Sequence, residues 1–369
     1  MNSIERFERC MNHQDPDRPP LDLGATSLTG MRPACQRRLA DTLGFAGVPQ
    51  VSNNGVDERI LTWAGTDFRS VGAIVDLPSS SKRRISDACY VDGWGIRREK
   101  LDGEWQITHS PLKGASRKEL KTFDWPEPRI DETFLRKWER DAKALQQANR
   151  HVVVGEHPVY GILELGCWMC GYDDFLLKFA VDPDFIRTFF EQVLSIQLAI
   201  IEIYYGVLGP YLHLTTSGDD FGTQMGPFMS PEMFDQLIAP FFAARISRTK
   251  QIAKCYYWHH SCGSIGKLLS QIIACGVDIL NPVQTSAAGM SPEKLKAAHG
   301  DSLVFWGAVD VQQLLPHATP ETVRREVRSL IDVLGKDGGY VVAPAHEMQV
   351  DIPPENIIAL VQAVHNLSS

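Results

Sequence analysis

His260-Ser-Cys262-Gly263 sets an imidazole and a thiol on either side of one residue. If the chain turns at Gly263, both side chains point into one cavity. Nitrogen plus thiolate sulfur is a zinc-type donor set, with bonds of about 2.0–2.1 Å and about 2.3 Å. The bland alternative is a buried thiol beside a hydrogen-bonded histidine. A catalytic zinc takes three protein ligands and keeps one position open. Cys275, the one cysteine after Cys262, ends a helical pattern over residues 265–274 and belongs at the opposite end of the fold. His346 is then the best third ligand. Glu156, Asp219 and Asp220 are carboxylates for acid–base work, for a fourth metal position, or for holding the ligands from behind. Cys167-Trp-Met-Cys170 has no second pair and reads as two packed thiols. His259, next to His260 on a strand, should face the other way and be structural.

Such residues need a frame to bring them together. Short β-branched or aromatic runs alternate with helical patterns, the signal of βα units and a parallel sheet. Strands are expected at Pro20–Leu23, Val152–Gly155, Leu212–Thr216, Cys255–Trp258, Ile279–Asn281, Val304–Gly307 and Tyr340–Ala343, with an eighth hidden in the first half. In parallel barrels the chemistry gathers at the C-terminal strand ends. Six of these ends in succession carry polar, ionisable or glycine residues: Glu156-His157, Ser217 to Asp220, His259 to Gly263, Asn281 to Gln284, Gly307 to Asp310, and His346 to Gln349. Trp258 and Trp306 read as barrel packing.

Ser230-Pro-Glu232, Ser291-Pro-Glu293 and Thr319-Pro-Glu321 repeat one helix start: a hydroxyl cap, proline at the first helical position, then an acid at the positive helix end. Apolar residues from Phe185 to Ile200 keep helical spacing, and a last helix is expected from Pro354 towards Asn366. Between about 60 and 130 the pattern changes. Tyr90 to Gly95 and Glu104 to Thr108, joined through a Lys100-Leu-Asp-Gly103 turn, look like an inserted β-hairpin. Its basic clusters, Lys82-Arg-Arg84 and Arg97 to Lys100, read as a solvated face.

Length and composition agree with one large α/β domain. The chain has 369 residues, 44% hydrophobic, with a formal charge of −8. An acidic balance argues against a nucleic-acid partner. No apolar signal core opens the chain, and the most hydrophobic stretch, Val193 to Val207, is broken by Ser195, Gln197 and Glu202, so no membrane span is expected. Eight scattered cysteines without a signal peptide suit free thiols in a cytoplasmic protein.

Several segments together resemble the uroporphyrinogen decarboxylase superfamily over nearly the whole chain, and most closely its branch of corrinoid-dependent methyltransferases. They are Asp15-Pro-Asp-Arg-Pro-Pro20, Tyr90 to Gly95, Asp219-Asp-Phe-Gly-Thr-Gln224, His260 to Gly263, Gly276 to Gln284, Trp306 to Asp310, Pro344-Ala-His346 and Pro354-Glu-Asn356. The resemblance implies an α/β fold, a (β/α)8 TIM-type barrel of one domain over 1–369 with the hairpin inserted. It implies a His-X-Cys pair and a distant third ligand holding Zn2+, so His260 and Cys262 carry over. It also implies a separate corrinoid (cobalamin) protein exchanging a methyl group over the barrel mouth with a small-molecule donor or acceptor. Asp219, Asp220, Gln224, Asn281, Gln284 and Asp310 would orient that molecule, and Glu156 would complete the metal shell.

Thiol-methylating members use a cysteine as third ligand, and none follows Cys275 here. One thiolate with two neutral imidazoles leaves the metal a net +1 and makes it a stronger Lewis acid. Uroporphyrinogen decarboxylases carry an arginine motif near the N-terminus. The corresponding stretch, Asp22 to Gly30, has no arginine until Arg32, although many carboxylates need several fixed cations. The runner-up is a metal-independent decarboxylase or lyase working through Asp219 or Asp220. A third reading is an idle barrel that only binds a corrinoid module.

Overall fold

The computed structural model describes residues 1–24, 26–48 and 55–366. Its strands, in chain order, are β1 (Phe68–Val71), β2 (Arg83–Ser86), β3 (Cys89–Val91), β4 (Arg97–Leu101), β5 (Glu104–His109), β6 (Val152–Gly155), β7 (Leu214–Thr215), β8 (Tyr256–His260), β9 (Ile279–Asn281), β10 (Val304–Val309) and β11 (Tyr340–Pro344). Among the described residues seven of them form a parallel sheet in the order β1-β6-β7-β8-β9-β10-β11. β1 is the strand hidden in the first half.

The segment expected as strand Pro20–Leu23 is shorter than a strand but does a strand's work. Leu21 bridges Val342 of β11 in parallel. The Asp22 N–H donates to the Val342 carbonyl and the Val342 N–H to that of Pro20, both at 2.9 Å. On the other side the Asp67 N–H donates to the Leu21 carbonyl at 2.9 Å, just ahead of β1. Leu21 thus fills the gap between the first and last strands of the sheet. Pro19 and Pro20 offer no N–H, which limits how far the ladder can run.

The two faces of each strand separate with the period of two that strands impose. Val152, Val154, Leu214, Trp258, Ile279, Val304, Trp306, Val341 and Ala343 form the inner cluster. Val153, Tyr257, Leu280, Phe305 and Val342 pack outward against the helices. Trp258 and Trp306 are wholly buried with ring centroids 6.0 Å apart, and Phe68 lies 4.4 Å from Trp306. Both tryptophans are barrel packing. The bottom is closed by the helix Ser3–Met11, whose Phe7, Cys10 and Met11 join the inner cluster. Phe7 meets Phe68 and Tyr256 edge-on at 5.7 and 5.9 Å. Arg6 anchors this plug through Asp67 at 2.7 Å, and Arg18 binds the same carboxylate at 2.8 Å.

The cap devices act as read. Ser230, Ser291 and Thr319 accept from the N–H groups of Met233, Lys294 and Thr322 and start the helices Pro231–Leu237, Pro292–His299 and Pro320–Leu334. Asp182 starts Pro183–Leu208, and the last helix is Pro354–His365. The span Pro183–Tyr211 is long and apolar enough to cross a membrane by length and composition. Its Phe185, Phe189, Val193 and Ile200 are nevertheless packed into the core.

The insertion differs from a single hairpin. β2 to β5 form a four-stranded antiparallel sheet. The expected turn is present, with Asp102 and Gly103 at φ +51° and +89°. The partner of β5, however, is β4, and Tyr90 pairs instead with Arg98. Asp92 explains the difference. Its carboxylate accepts from the Trp94 and Ile96 N–H groups at 3.0 Å each, folding residues 92–96 into a turn that ends β3. Because β1 belongs to the barrel, the insertion begins after Val71.

Candidate metal centre

β8 presents Trp258 inward, so His260, two residues on, also points inward, at the mouth. Gly263 makes the expected turn at φ +85°. A Cβ there would lie 2.7 Å from the Thr223 carbonyl oxygen, so the loop 222–223 packs on bare backbone. The turn brings Cys262 back beside His260, Sγ to Nε2 at 3.2 Å. β11 ends two residues before His346, whose ring lies 5.6 Å from that of His260. One donor atom from each of His260, Cys262 and His346 lies within 4.8 Å of the other two. Tetrahedral zinc with ordinary bond lengths would set such donors about 3.5 Å apart, so the three fit the ion with small adjustments.

The surroundings prepare the same chemistry. His260 Nδ1 meets Asn281 Oδ1 at 2.6 Å, while Asn281 Nδ2 donates to the Trp306 carbonyl at 3.2 Å. A carbonyl only accepts, so the amide nitrogen faces it and Oδ1 faces His260. His260 therefore carries its proton on Nδ1 and leaves the Nε2 lone pair towards Cys262, the state a metal ligand needs. Burial, then the neighbouring His260, lowers the His346 pKa to about 4, so its imidazole is neutral. Burial and the carboxylates of Asp220 and Glu164 push the Cys262 thiol well up. A divalent cation between the three donors is the charge that would reverse this and make the thiolate.

The remaining expected residues divide between two tasks. Asp220 stands beside the donors: Oδ1 accepts the Cys262 N–H at 2.7 Å and lies 3.9 Å from His260 Nε2. Gln284 accepts the Gly263 N–H at 2.7 Å and donates to Gln224 at 3.2 Å, so both amides brace the loop. Asp310 Oδ1 accepts from the Gln312 and Gln313 N–H groups at 2.5 and 2.9 Å. A cavity of about 90 Å3 opens between Cys262, His346, Gln284, Asp310 and Gln312.

Asp219 and Glu156 are committed elsewhere. Asp219 is fully buried and accepts the Leu163 and Glu164 N–H groups at 3.1 and 2.9 Å, capping the helix Ile162–Cys170. Burial raises its pKa to about 6. Glu156 accepts from Ser27 N–H at 2.7 Å, Ser27 Oγ at 3.0 Å and Thr216 Oγ1 at 3.2 Å. It ties the loop after the Leu21 bridge to β7 and is not in the His–Cys–His group. Cys167 and Cys170 are buried free thiols in the last turns of the helix Ile162–Cys170, packed as expected. Cys275 is bonded to the Ala239 carbonyl and takes no part.

Behind β8 lies a buried polar layer that sequence reading missed. His259 faces outward as expected, between Phe221 at 5.5 Å and Phe242 at 4.7 Å, with Nδ1 on Ser217 Oγ at 2.9 Å. Arg245, fully buried on the helix Ala239–Ala253, donates to the Tyr160 carbonyl at 3.0 Å, which Gln197 also meets at 2.9 Å. Arg245 and Asp219 therefore grip the turn 160–164 from two sides. Gly161 fits there because a Cβ would strike Asp219 at 2.4 Å. Asp22 was missed as well: it is buried and accepts from Trp306 Nε1 at 3.1 Å and Thr29 Oγ1 at 2.6 Å. It lies in the stretch read for missing arginines, of which Ala25 lies outside the described residues.

Residues 216–367 match the family model of uroporphyrinogen decarboxylase. Among curated relatives, the uroporphyrinogen decarboxylase of Psychromonas ingrahamii is 42% identical over 73 residues, 20% of each chain. That of Vibrio campbellii is 36% identical over 104 residues, 28% of each chain. The matched segments thus span only 20% and 28% of these relatives. Among solved structures, a methyltransferase from Methanosarcina mazei superposes with a TM-score of 0.68 at 17% identity, covering 100% of both chains. That likeness shows a shared fold.

Proposed function

We propose that this chain, whose residues 216–367 match the uroporphyrinogen decarboxylase family model, is a zinc-dependent methyltransferase moving a methyl group between a small molecule and a corrinoid protein. The observation that carries the reading is the convergence of His260, Cys262 and His346 donors at one barrel mouth, with His260 already held in the ligating tautomer. Bound there, zinc would polarise the heteroatom that carries or receives the methyl group. His260, Cys262 and His346 would hold the ion, and Asp220 would fix the Cys262 backbone and stand ready beside it. Asn281 would keep the His260 proton on Nδ1. Gln284 and Gln224 would hold the loop that shapes the cavity, and Asp310 would orient the small molecule. The corrinoid would approach from the open mouth on its own protein, in the cytoplasm.

A decarboxylase reading draws on the names of the matched relatives and of the family model over residues 216–367. The cavity beside the donors argues against a polycarboxylate substrate, since no arginine or lysine is among its lining residues. Metal content of the purified protein, then methyl exchange with methylcobalamin followed by the cobalt spectrum, tests the proposal. Stoichiometric zinc, and exchange abolished in His260→Ala, are the results expected. A His260→Ala protein that keeps full exchange overturns the zinc mechanism.

A further inference from the structure

Resting on that reading, we infer that the small molecule taken by this site is uncharged or cationic and presents a hydrogen-bond donor to Asp310 Oδ2. Besides Cys262 and His346, the polar residues that line the cavity are Gln284, Thr285, Ser286, Asp310 and Gln312. Most of their polar atoms are occupied. Gln284 is spent on Gly263 and Gln224, and Gln312 Oε1 accepts from Ser286 Oγ at 3.3 Å. Asp310 Oδ1 takes two backbone N–H groups, which fixes the carboxylate and leaves Oδ2 without a protein partner among the described residues. A fixed carboxylate oxygen accepts and cannot donate, so it selects an N–H, an O–H or a cation.

The charge around the cavity points the same way. The carboxylate of Asp220 stands beside the donors, its Oδ1 on the Cys262 N–H at 2.7 Å and 3.9 Å from His260 Nε2. Arg32, which reaches the residue after His346, is already paired with Glu347 at 2.8 Å and Glu104 at 3.8 Å. A carboxylate or sulfonate entering here would leave water for a wall that offers it no cation. The metal's own charge would be met by the heteroatom it binds, and does nothing for an anion at the far end.

Thiols matched in length separate this charge rule from the metal reading. The protein is loaded with Co2+ in place of zinc and titrated with cysteamine, 2-mercaptoethanol and 3-mercaptopropionate, reading the cobalt spectrum. All three offer the same sulfur and differ in the remote group. Cysteamine and 2-mercaptoethanol should bind about tenfold or more tighter than 3-mercaptopropionate, one unit charge near a carboxylate being of that order. Asp310→Asn, which keeps an oxygen for the two backbone N–H groups, should keep the cobalt stoichiometry and narrow the gap. Equal or tighter binding of 3-mercaptopropionate, or an unchanged ranking in Asp310→Asn, overturns the inference and leaves the metal reading standing. Failure to bind cobalt, or no spectral response to any thiol, removes the metal reading and this inference with it.

Discussion

Asn281→Ala separates holding a ligand from being one. The wild-type contact is short, 2.6 Å, and both residues are buried, at 5% exposure for His260 and 1% for Asn281. The substitution leaves the His260 Nδ1–H and the Trp306 carbonyl without partners. Each lost partner costs about 1–3 kcal/mol, so global stability should fall by roughly 2–6 kcal/mol. The metal effect is separate: removing the group that orients a ligating histidine typically weakens affinity about 10–100-fold, or about 1.4–2.7 kcal/mol. Competition for zinc against a chromophoric chelator measures it, and denaturant unfolding of the metal-free protein measures the stability. Asn281→Asp gives the decisive contrast. It keeps an acceptor for His260 but sets a carboxylate oxygen against the Trp306 carbonyl, so it should lose stability and retain most of the zinc affinity. If the Ala variant binds zinc as tightly as wild type while His260→Ala does not, Asn281 does not hold the imidazole. If the folded Asp variant loses zinc as fully as the Ala variant, the acceptor argument fails.

Gly263→Ala, at φ +85° with the Thr223 oxygen 2.7 Å from the new Cβ, should cost about 1–3 kcal/mol and weaken zinc binding, read by unfolding and metal content. Asp219→Ala strips two N–H groups at the start of the helix Ile162–Cys170 and should destabilise by about 2–4 kcal/mol in denaturant; a loss below 0.5 kcal/mol would show that cap to be unimportant. His157 is buried, and desolvation first, then Arg245, holds its pKa well below the usual 6.5. The unfolded chain therefore binds the proton more readily, and stability should drop as pH falls below 6.5, by about 1.4 kcal/mol per pH unit from this residue. His157→Gln should remove about 1 kcal/mol of the stability lost between pH 6.5 and 5.5, the unfolded imidazole being half protonated at the start of that window.

Legibility in the sequence followed the strength of the local pattern. β6 and β9 stand where they were expected, because strands buried on both faces read as short apolar runs, with Asn281 alone polar at the mouth. β1 was hidden because Arg69 and Ser70 interrupt it. Arg69 is buried all the same, its guanidinium bonded to Glu58, Thr66 and the Phe68 carbonyl, a set of partners no window of sequence reveals. Alternation along β8 separated His260 from His259, since a period of two leaves no choice. It could not show that Asp219 and Glu156 turn away from the donors. Both sit at strand ends, but their oxygens answer N–H and O–H groups 55 to 129 residues away. Asn281 reads as a substrate contact in sequence because its neighbour on the adjacent strand, 21 residues back, is a tertiary fact.

The family match and the site divide the molecule along one line. His260, Cys262, His346, Asn281, Gln284 and Asp310 all fall within residues 216–367, the segment that matches the family model. Arg32, Ser27, Glu156 and Glu164 come from the first half, outside that match. The donor set thus lies in the part of the chain that the family model covers, and much of what approaches it lies outside. Arg32 is the sharpest instance. It binds Glu347, the residue after His346, from a loop of the first half, and is 44% exposed at its side chain. Arg32→Ala should leave zinc stoichiometry unchanged, because no donor depends on it. It should make the mouth more acidic and lower the affinity for any anionic thiol in the cobalt titration a further few-fold, as an exposed charge screened by water allows. Loss of zinc in this variant would show that the first half helps to build the metal centre itself.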